Sequence, residues 1–421
     1  MRREWIPEDE RFFGERRGRG QGRRRSRSRA RAFATVLGID LARPPAQVLT
    51  VVGSKGKGTA ATCASATLAA AGLRVGTLTS PGVTSNRERL RIDGLAIARP
   101  AYVALVTEVA DRLEEVRDHL PDDGYLAPTG LFTLAALLHF QRRECEVIVL
   151  EAGMGGRSDE VSLLQPAVLA VTTIFGEHLG TLGESIPEIA ADKVGAATDP
   201  TTDILTLRSQ ASEVIGIIAQ RALEVSAELH VVTANDAVGL PLPAGLGADN
   251  ATLGIRAAEC ILRLWDCRTP AREDLAGTLA TVNLPGRVSH HRPGGTPWVV
   301  DCATSAGATA AALEHCRHTE GEPATVILCL GADKDRAGAL AALRGLPVRQ
   351  VRLDVPHLDF AGWEDAPLLD DIALEELPGP VLALGTIYFA GELLAWLGAD
   401  GERAFTSAPP RRDAQSRSNA R

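Results

Sequence analysis

Apolar residues along this chain fall into two patterns: short unbroken runs bounded by glycine or polar residues, and longer stretches with helical spacing. Gln47-Val48-Leu49-Thr50-Val51-Val52 is such a run and predicts a strand buried on both faces. Residues 60–71 are small and helix-compatible, and Gly72 ends them. The alternation continues with a strand at 75–80, helices at 101–120 and 131–142, strands at 146–150 and 167–174, and a helix at 250–264. Asn283-Leu284-Pro285-Gly286-Arg287 then breaks the pattern, and strand-like runs resume at 298–300, 324–330, 348–353 and 381–384 with helical spacing between them. Strands separated by helices predict an α/β protein with parallel sheets.

At 421 residues the chain exceeds what one core supports, so two domains are expected. The reading divides it into a basic N-terminal arm at 1–32, a larger domain at 33–288, a smaller α/β domain at 289–402 and a polar, disordered tail at 403–421. Net charge is -8, yet nine arginines and no acid lie between Arg16 and Arg31. Aromatic residues are not interleaved with those arginines, so a flexible or solvated helical arm is expected rather than a nucleic-acid-binding segment. A mean hydropathy of +0.01 and no apolar run of roughly 20 residues argue against a membrane protein. The N-terminus lacks the apolar stretch of a signal peptide, and seven scattered cysteines without a C-x-x-C pair suggest neither a disulfide framework nor a zinc site; both point to the cytoplasm.

The most informative segment follows the first strand. Gly53-Ser54-Lys55-Gly56-Lys57-Gly58-Thr59 places glycines, a lysine and a hydroxyl between a strand and a helix, which is the order of a triphosphate cradle. Glycines let backbone N–H groups approach phosphate oxygens, Lys57 reaches the β- and γ-phosphates, Thr59 touches magnesium, and the helix N-terminus adds partial positive charge. The spacing is shorter than G-x-x-x-x-G-K-[ST], with an extra glycine between lysine and threonine.

Three more groups follow later strands. They are Thr79-Ser80-Pro81-Gly82-Val83-Thr84-Ser85-Asn86-Arg87-Glu88-Arg89-Leu90-Arg91, then Glu151-Ala152-Gly153-Met154-Gly155-Gly156-Arg157-Ser158-Asp159, then the stretch from Glu177-His178 to Lys193-Val194-Gly195. In content, order and spacing these resemble the Mur ligase superfamily, and within it the folylpolyglutamate synthase and dihydrofolate synthase family. That family reads T-G-T-N-G-K-G-S, T-S-P-H-L-x-S-x-R-E-R-I-R, E-V-G-L-G-G-R-x-D, and farther on a histidine followed by E-K-A-G. The similarity spans roughly residues 45–395.

The resemblance implies a P-loop, Mur-ligase-type ATP-binding domain with a parallel sheet, followed by a smaller Rossmann-like α/β domain. It implies that Lys57 and Thr59 hold the ATP phosphates, that Ser80, Glu151 and His178 serve magnesium ions, and that Lys193 is the lysine carbamylated in this superfamily. Asn250 matches a position near the adenine. Arg287, in a match to W-P-G-R, is expected at the phosphates and Asp301 at the nucleotide. Leu330-Gly331-Ala332-Asp333-Lys334-Asp335 and Gly385-Thr386-Ile387-Tyr388-Phe389-Ala390-Gly391-Glu392 carry the match into the second domain. The implied reaction is ATP-dependent amide formation through an acyl phosphate, with a small carboxylic acid and an amine as substrates and a monomer as the acting species.

Departures cluster in the substrate half. Gly82 replaces the histidine of T-S-P-H, Glu160-Val161-Ser162 stands where A-T-N is usual, Gly176-Glu177-His178-Leu179-Gly180 replaces L-D-H-T-D, and Thr304 replaces a histidine beside the incoming amino acid. Three functions are therefore open: a divergent folate enzyme adding glutamate, a relative joining another amine to another acid, and an inactive nucleotide-binding homologue acting through its basic arm.

Overall fold

The structure, a computed structural model, describes residues 3–407 apart from 20–23, 43, 45, 178, 244–245 and 356–357. The chain forms two compact units. The larger comprises Ile6–Ser80, Arg89–Asn283 and the described residues from Arg403; the smaller comprises the chain up to Trp5, Pro81–Glu88 and Leu284–Glu402.

Eight strands build the sheet of the larger unit: β1 (Gln47–Val52), β2 (Val75–Leu78), β3 (Leu90–Ile92), β4 (Leu95–Ala96), β5 (Val147–Glu151), β6 (Val168–Val171), β7 (Asp203–Leu207) and β8 (Glu228–Val232), in the order β4-β3-β2-β5-β1-β6-β7-β8. All pairings from β2 through β8 are parallel, and β3 and β4 add an antiparallel edge. The unbroken apolar run of β1 has a direct cause. Val48 and Val52 face one hydrophobic core, and Leu49 and Val51 face a second on the opposite side of the sheet. That second core holds the helices Lys57–Ala70 and Leu246–Leu264, whose alanine-rich faces allow close packing.

The smaller unit has a five-stranded sheet ordered β12-β11-β13-β10-β9, with β9 (Ser289–His291), β10 (Trp298–Asp301), β11 (Thr325–Cys329), β12 (Val348–Gln350) and β13 (Val381–Gly385). Only β9 is antiparallel. Again alternate residues split between two cores, Trp298 and Val300 on one face and Val299 on the other.

Three sequence expectations give way here, in whole or in part. The arginine-rich segment is a solvated arm only in part: Arg16, Arg17, Arg24, Arg27 and Arg31 are exposed, whereas in the helix Arg27–Val36, capped by Ser26, the Arg29 side chain is completely buried. Its Nε donates to Glu15 Oε1 at 2.6 Å, while Nη1 and Nη2 donate to Pro121 O at 2.9 Å and Arg117 O at 2.8 Å. The cation thus sits on the free carbonyls that follow the helix Arg99–Val116, where both hydrogen bonding and the helix dipole favour it. The tail is likewise not disordered from its first residue, since Phe405 is buried in the second core and Ala404 N bonds to Gly94 O. Residues 408–421 lie outside the described residues. The change of unit falls between Asn283 and Leu284, with Pro81–Glu88 belonging to the smaller unit although the sequence reading placed it in the larger domain.

Candidate functional site

The carboxyl ends of β2, β5, β1 and β6 lie side by side, and the loops leaving them carry the residues singled out above. Open α/β sheets place ligands at this edge, where the chain departs in opposite directions from neighbouring strands. Gly53 leaves β1 with φ +136°, and a Cβ there would lie 2.0 Å from Thr172 Oγ1. Gly56 caps the following helix with φ +93°, and its Cβ would fall 2.3 Å from Asn250 Oδ1. Both sites demand glycine, by backbone conformation and by space. Ser54 N donates to Thr173 O at 2.8 Å, which fixes the loop to the strand beside it. The helix Lys57–Ala70 then presents its first-turn N–H groups, which have no partners within the helix, at the head of the loop.

Glu151 is the last residue of β5 and is buried, its Oε2 accepting from Ser80 N at 2.9 Å. A Cβ on Gly58 would sit 3.4 Å from the same oxygen, so the carboxylate lies against the first turn of the loop helix, one residue before the buried Thr59. Ser80 Oγ accepts from Arg89 Nη1 at 3.1 Å, and the Arg89 guanidinium is 4.5 Å from the Phe132 ring centroid. Hydroxyls of Thr59 and Ser80 and the carboxylate of Glu151 form a set of hard oxygen donors, which fits magnesium.

Lys57 and Lys193 converge on one carbonyl. Lys57 Nζ donates to Gly53 O at 3.0 Å and Lys193 Nζ to the same oxygen at 2.9 Å. Lys193 is buried near the end of the helix Ile186–Val194 and also donates to Glu177 Oε1 at 2.9 Å. Burial holds its ammonium below the usual lysine range, Glu177 pulls it back up, and the neighbouring Lys57 charge lowers it again. Asp192 beside it ties the loop after β5 to this helix, accepting from Gly156 N at 3.0 Å and Ser158 Oγ at 2.9 Å.

The structure therefore brings together Gly53 to Thr59, Ser80, Glu151, Lys193 and Asn250 within the larger unit. Arg287 and Asp301 belong to the smaller unit. There Arg287 Nη1 donates to Gly286 O at 3.2 Å, and Asp301, at the end of β10, accepts from Val288 N at 2.8 Å. His178 lies outside the described residues. Sequence reasoning gave no role to Glu177 or Arg89. Both sit inside quoted motifs, but only folding reveals that one neutralises Lys193 and the other holds Ser80.

Glu160, at the substrate-side departure, is buried and paired with Arg25, which also donates to Thr129 Oγ1 at 2.8 Å. Neighbouring Asp159 accepts from Met154 N at 2.9 Å and holds the loop after β5 in shape.

No family model matches the chain. A protein of Halobacterium salinarum named probable bifunctional folylpolyglutamate synthase/dihydropteroate synthase is 31% identical over 318 residues, covering 70% of this chain and 37% of that protein. The mitochondrial folylpolyglutamate synthase of Bos taurus is 26% identical, covering 69% of this chain and 56% of that one. Among curated relatives of these kinds the chain thus spans between about a third and just over half of their length. The solved folylpolyglutamate synthase of Mycobacterium tuberculosis complexed with ADP and AMPPCP superposes with a TM-score of 0.75 at 24% identity, covering 93% of this chain and 99% of that one. An FPGS-AMPPCP-folate complex also gives 0.75, at 21% identity, with coverage of 88% and 95%. The fold is shared throughout.

Proposed function

We propose that the chain is a member of the Mur ligase superfamily, with the folylpolyglutamate and dihydrofolate synthases it resembles, and that it is an ATP-dependent, ADP-forming ligase that joins a folate-type carboxylic acid to an amino acid such as glutamate. One observation carries the reading. A glycine-constrained loop, two lysines on Gly53 O, and the oxygen donors Ser80 and Glu151 meet at the carboxyl edge of one parallel sheet.

In the proposed reaction the substrate carboxylate attacks the γ-phosphorus, ADP leaves, and the amine displaces phosphate from the acyl phosphate. The loop N–H groups bind the phosphates, and Lys57 exchanges its carbonyl partners for phosphate oxygens. Thr59, Ser80, Glu151 and His178 would hold magnesium, which supplies charge neutralisation on the transferring group. Asn250 packs on the loop beside the nucleotide. Lys193 is a candidate for carbamylation, because its lowered pKa favours the neutral amine that attacks CO2. The protein works as a monomer on small molecules in the cytoplasm, where ATP is available. No helix among the described residues is long and apolar enough to cross a membrane.

The test is ADP release by purified protein given ATP, Mg2+, glutamate and a panel of folates and dihydropteroate. Turnover is expected with at least one acid, and Lys57→Ala should reduce it by about 100-fold or more. Unchanged turnover in Lys57→Ala would sink the mechanism; turnover only with other acid and amine pairs would reassign the substrates.

A further inference from the structure

We propose that Asp203, His230 and Cys260 form a binding site for a divalent transition-metal cation of the zinc type, separate from the nucleotide loop. The three residues come from β7, β8 and the helix Leu246–Leu264. Asp203 and Leu205 alternate onto the same face of β7, and Leu205 pairs in register with His230 of β8. Leu205 and Cys260 share the core between that face and the helix, which brings Asp203, His230 and Cys260 to one point. His230 Nε2 lies 2.8 Å from Asp203 Oδ1, and the ligand atoms of all three residues lie within 4.8 Å of one another. Asp203 and Cys260 are buried and His230 is half-buried.

The donor set selects the ion. A thiolate is soft, an imidazole borderline and a carboxylate hard, a mixture that suits Zn2+ or Co2+ and is foreign to Mg2+ or Ca2+. The carboxylate is already oriented: Thr202 Oγ1 donates to Asp203 Oδ2 at 2.8 Å, leaving Oδ1 turned toward the histidine. A cavity of about 230 Å³, lined by His230, Glu259, Cys260 and the arginines Arg256 and Arg263, opens beside the cluster. It leaves room for a fourth ligand, water or the Glu259 carboxylate.

Arg263 pairs with Asp203 Oδ1, yet more than half of its side chain is exposed, so it can swing into solvent. Metal binding then exchanges one cation for another at Asp203. The Cys260 thiol loses its proton to solvent, as does His230 if its Nε2 carries one, and the guanidinium departs. The gain is a tie between the edge strand β8, its neighbour β7 and the helix that carries Asn250, about 15 Å further along that helix.

The experiment is a Co2+ titration of the full-length, chelator-treated protein followed by absorbance. One Co2+ per chain should give an intense near-ultraviolet thiolate-to-cobalt band with visible bands of tetrahedral cobalt, displaced by Zn2+. Cys260→Ser should abolish the near-ultraviolet band, and His230→Ala should weaken Co2+ binding by about tenfold or more. Arg263→Ala should tighten it, because the competing cation is gone; an ion-pair network without a metal predicts no such gain. Absence of the band in the wild type, its survival in Cys260→Ser, or unaltered affinity in Arg263→Ala each overturns the proposal. If Cys260→Ser fails to fold, the partly exposed His230 and Arg263 carry the test.

Discussion

Gly56 shows how narrowly a single residue is specified. Its positive φ disfavours any side chain, and the Asn250 side chain occupies the space a Cβ would need. Gly56→Ala is therefore expected to destabilise the protein by about 1–3 kcal/mol and to weaken binding of a fluorescent ATP analogue. Adding Asn250→Ala should relieve the clash but not the backbone strain, so denaturation of the double variant should recover only part of the loss. Lys193 offers a pH test. Its folded-state pKa lies below the ordinary lysine value, so the neutral amine gains population as pH rises through that lowered value. At fixed dissolved CO2, a carbamate carbonyl signal in 13C NMR should grow as pH rises toward the ordinary lysine range and vanish in Lys193→Ala. A signal indifferent to pH, or present in Lys193→Ala, would contradict that assignment. Without CO2, the same shift makes folding more favourable as pH rises from the lowered value to the ordinary lysine value, relative to Lys193→Met.

Among the elements, the arginine-rich segment changed most between sequence and structure. A run of nine arginines reads as solvated because charge is costly to bury. Arg29 escapes that cost by pairing with buried Glu15 and by bonding to the carbonyls of Arg117, Leu120 and Pro121. Glu15 Oε2 in turn accepts from Leu126 N at 2.8 Å, so both charges are met. Removing one partner leaves the other buried and unpaired. Arg29→Ala should cost about 3–5 kcal/mol in urea unfolding, whereas Glu15→Leu combined with Arg29→Met should recover much of it. A loss of a few tenths of a kcal/mol would mean that the segment is not packed as described. Most strands were legible because they are buried on both faces and read as continuous apolar runs. β7 and β8 were not singled out: Asp203-Ile204-Leu205-Thr206-Leu207 mixes polar with apolar residues, and Glu228-Leu229-His230-Val231-Val232 lies at the sheet edge with little burial.

For the molecule as a whole, the smaller unit draws on three separated stretches of chain. Glu4 N bonds to Thr84 O at 2.8 Å, Arg3 N to Glu392 Oε2 at 3.0 Å, and the Arg87 guanidinium joins Glu4 and Glu402. Arg87→Ala should lower the stability of this unit by about 1–2 kcal/mol, discounted for the exposure of Glu402, and should speed limited proteolysis near residues 81–88. Equal cleavage rates in both proteins would refute that linkage. The sequence by itself determined the α/β class, the glycine-rich loop with Lys57 and Thr59, and the polar residues Ser80 and Glu151 after their strands. Those features are local: apolar period, glycine placement and strand-to-helix order are written in consecutive residues. Tertiary structure alone decided that Lys193 shares Gly53 O with Lys57, that Glu177 and Arg89 support the site, that Arg29 is buried, and that Asp203, His230 and Cys260 meet. Each of those depends on which strands lie side by side and which helix covers them. Such neighbours range from 9 residues apart, for Ser80 and Arg89, to 140, for Gly53 and Lys193, and no local spacing encodes them.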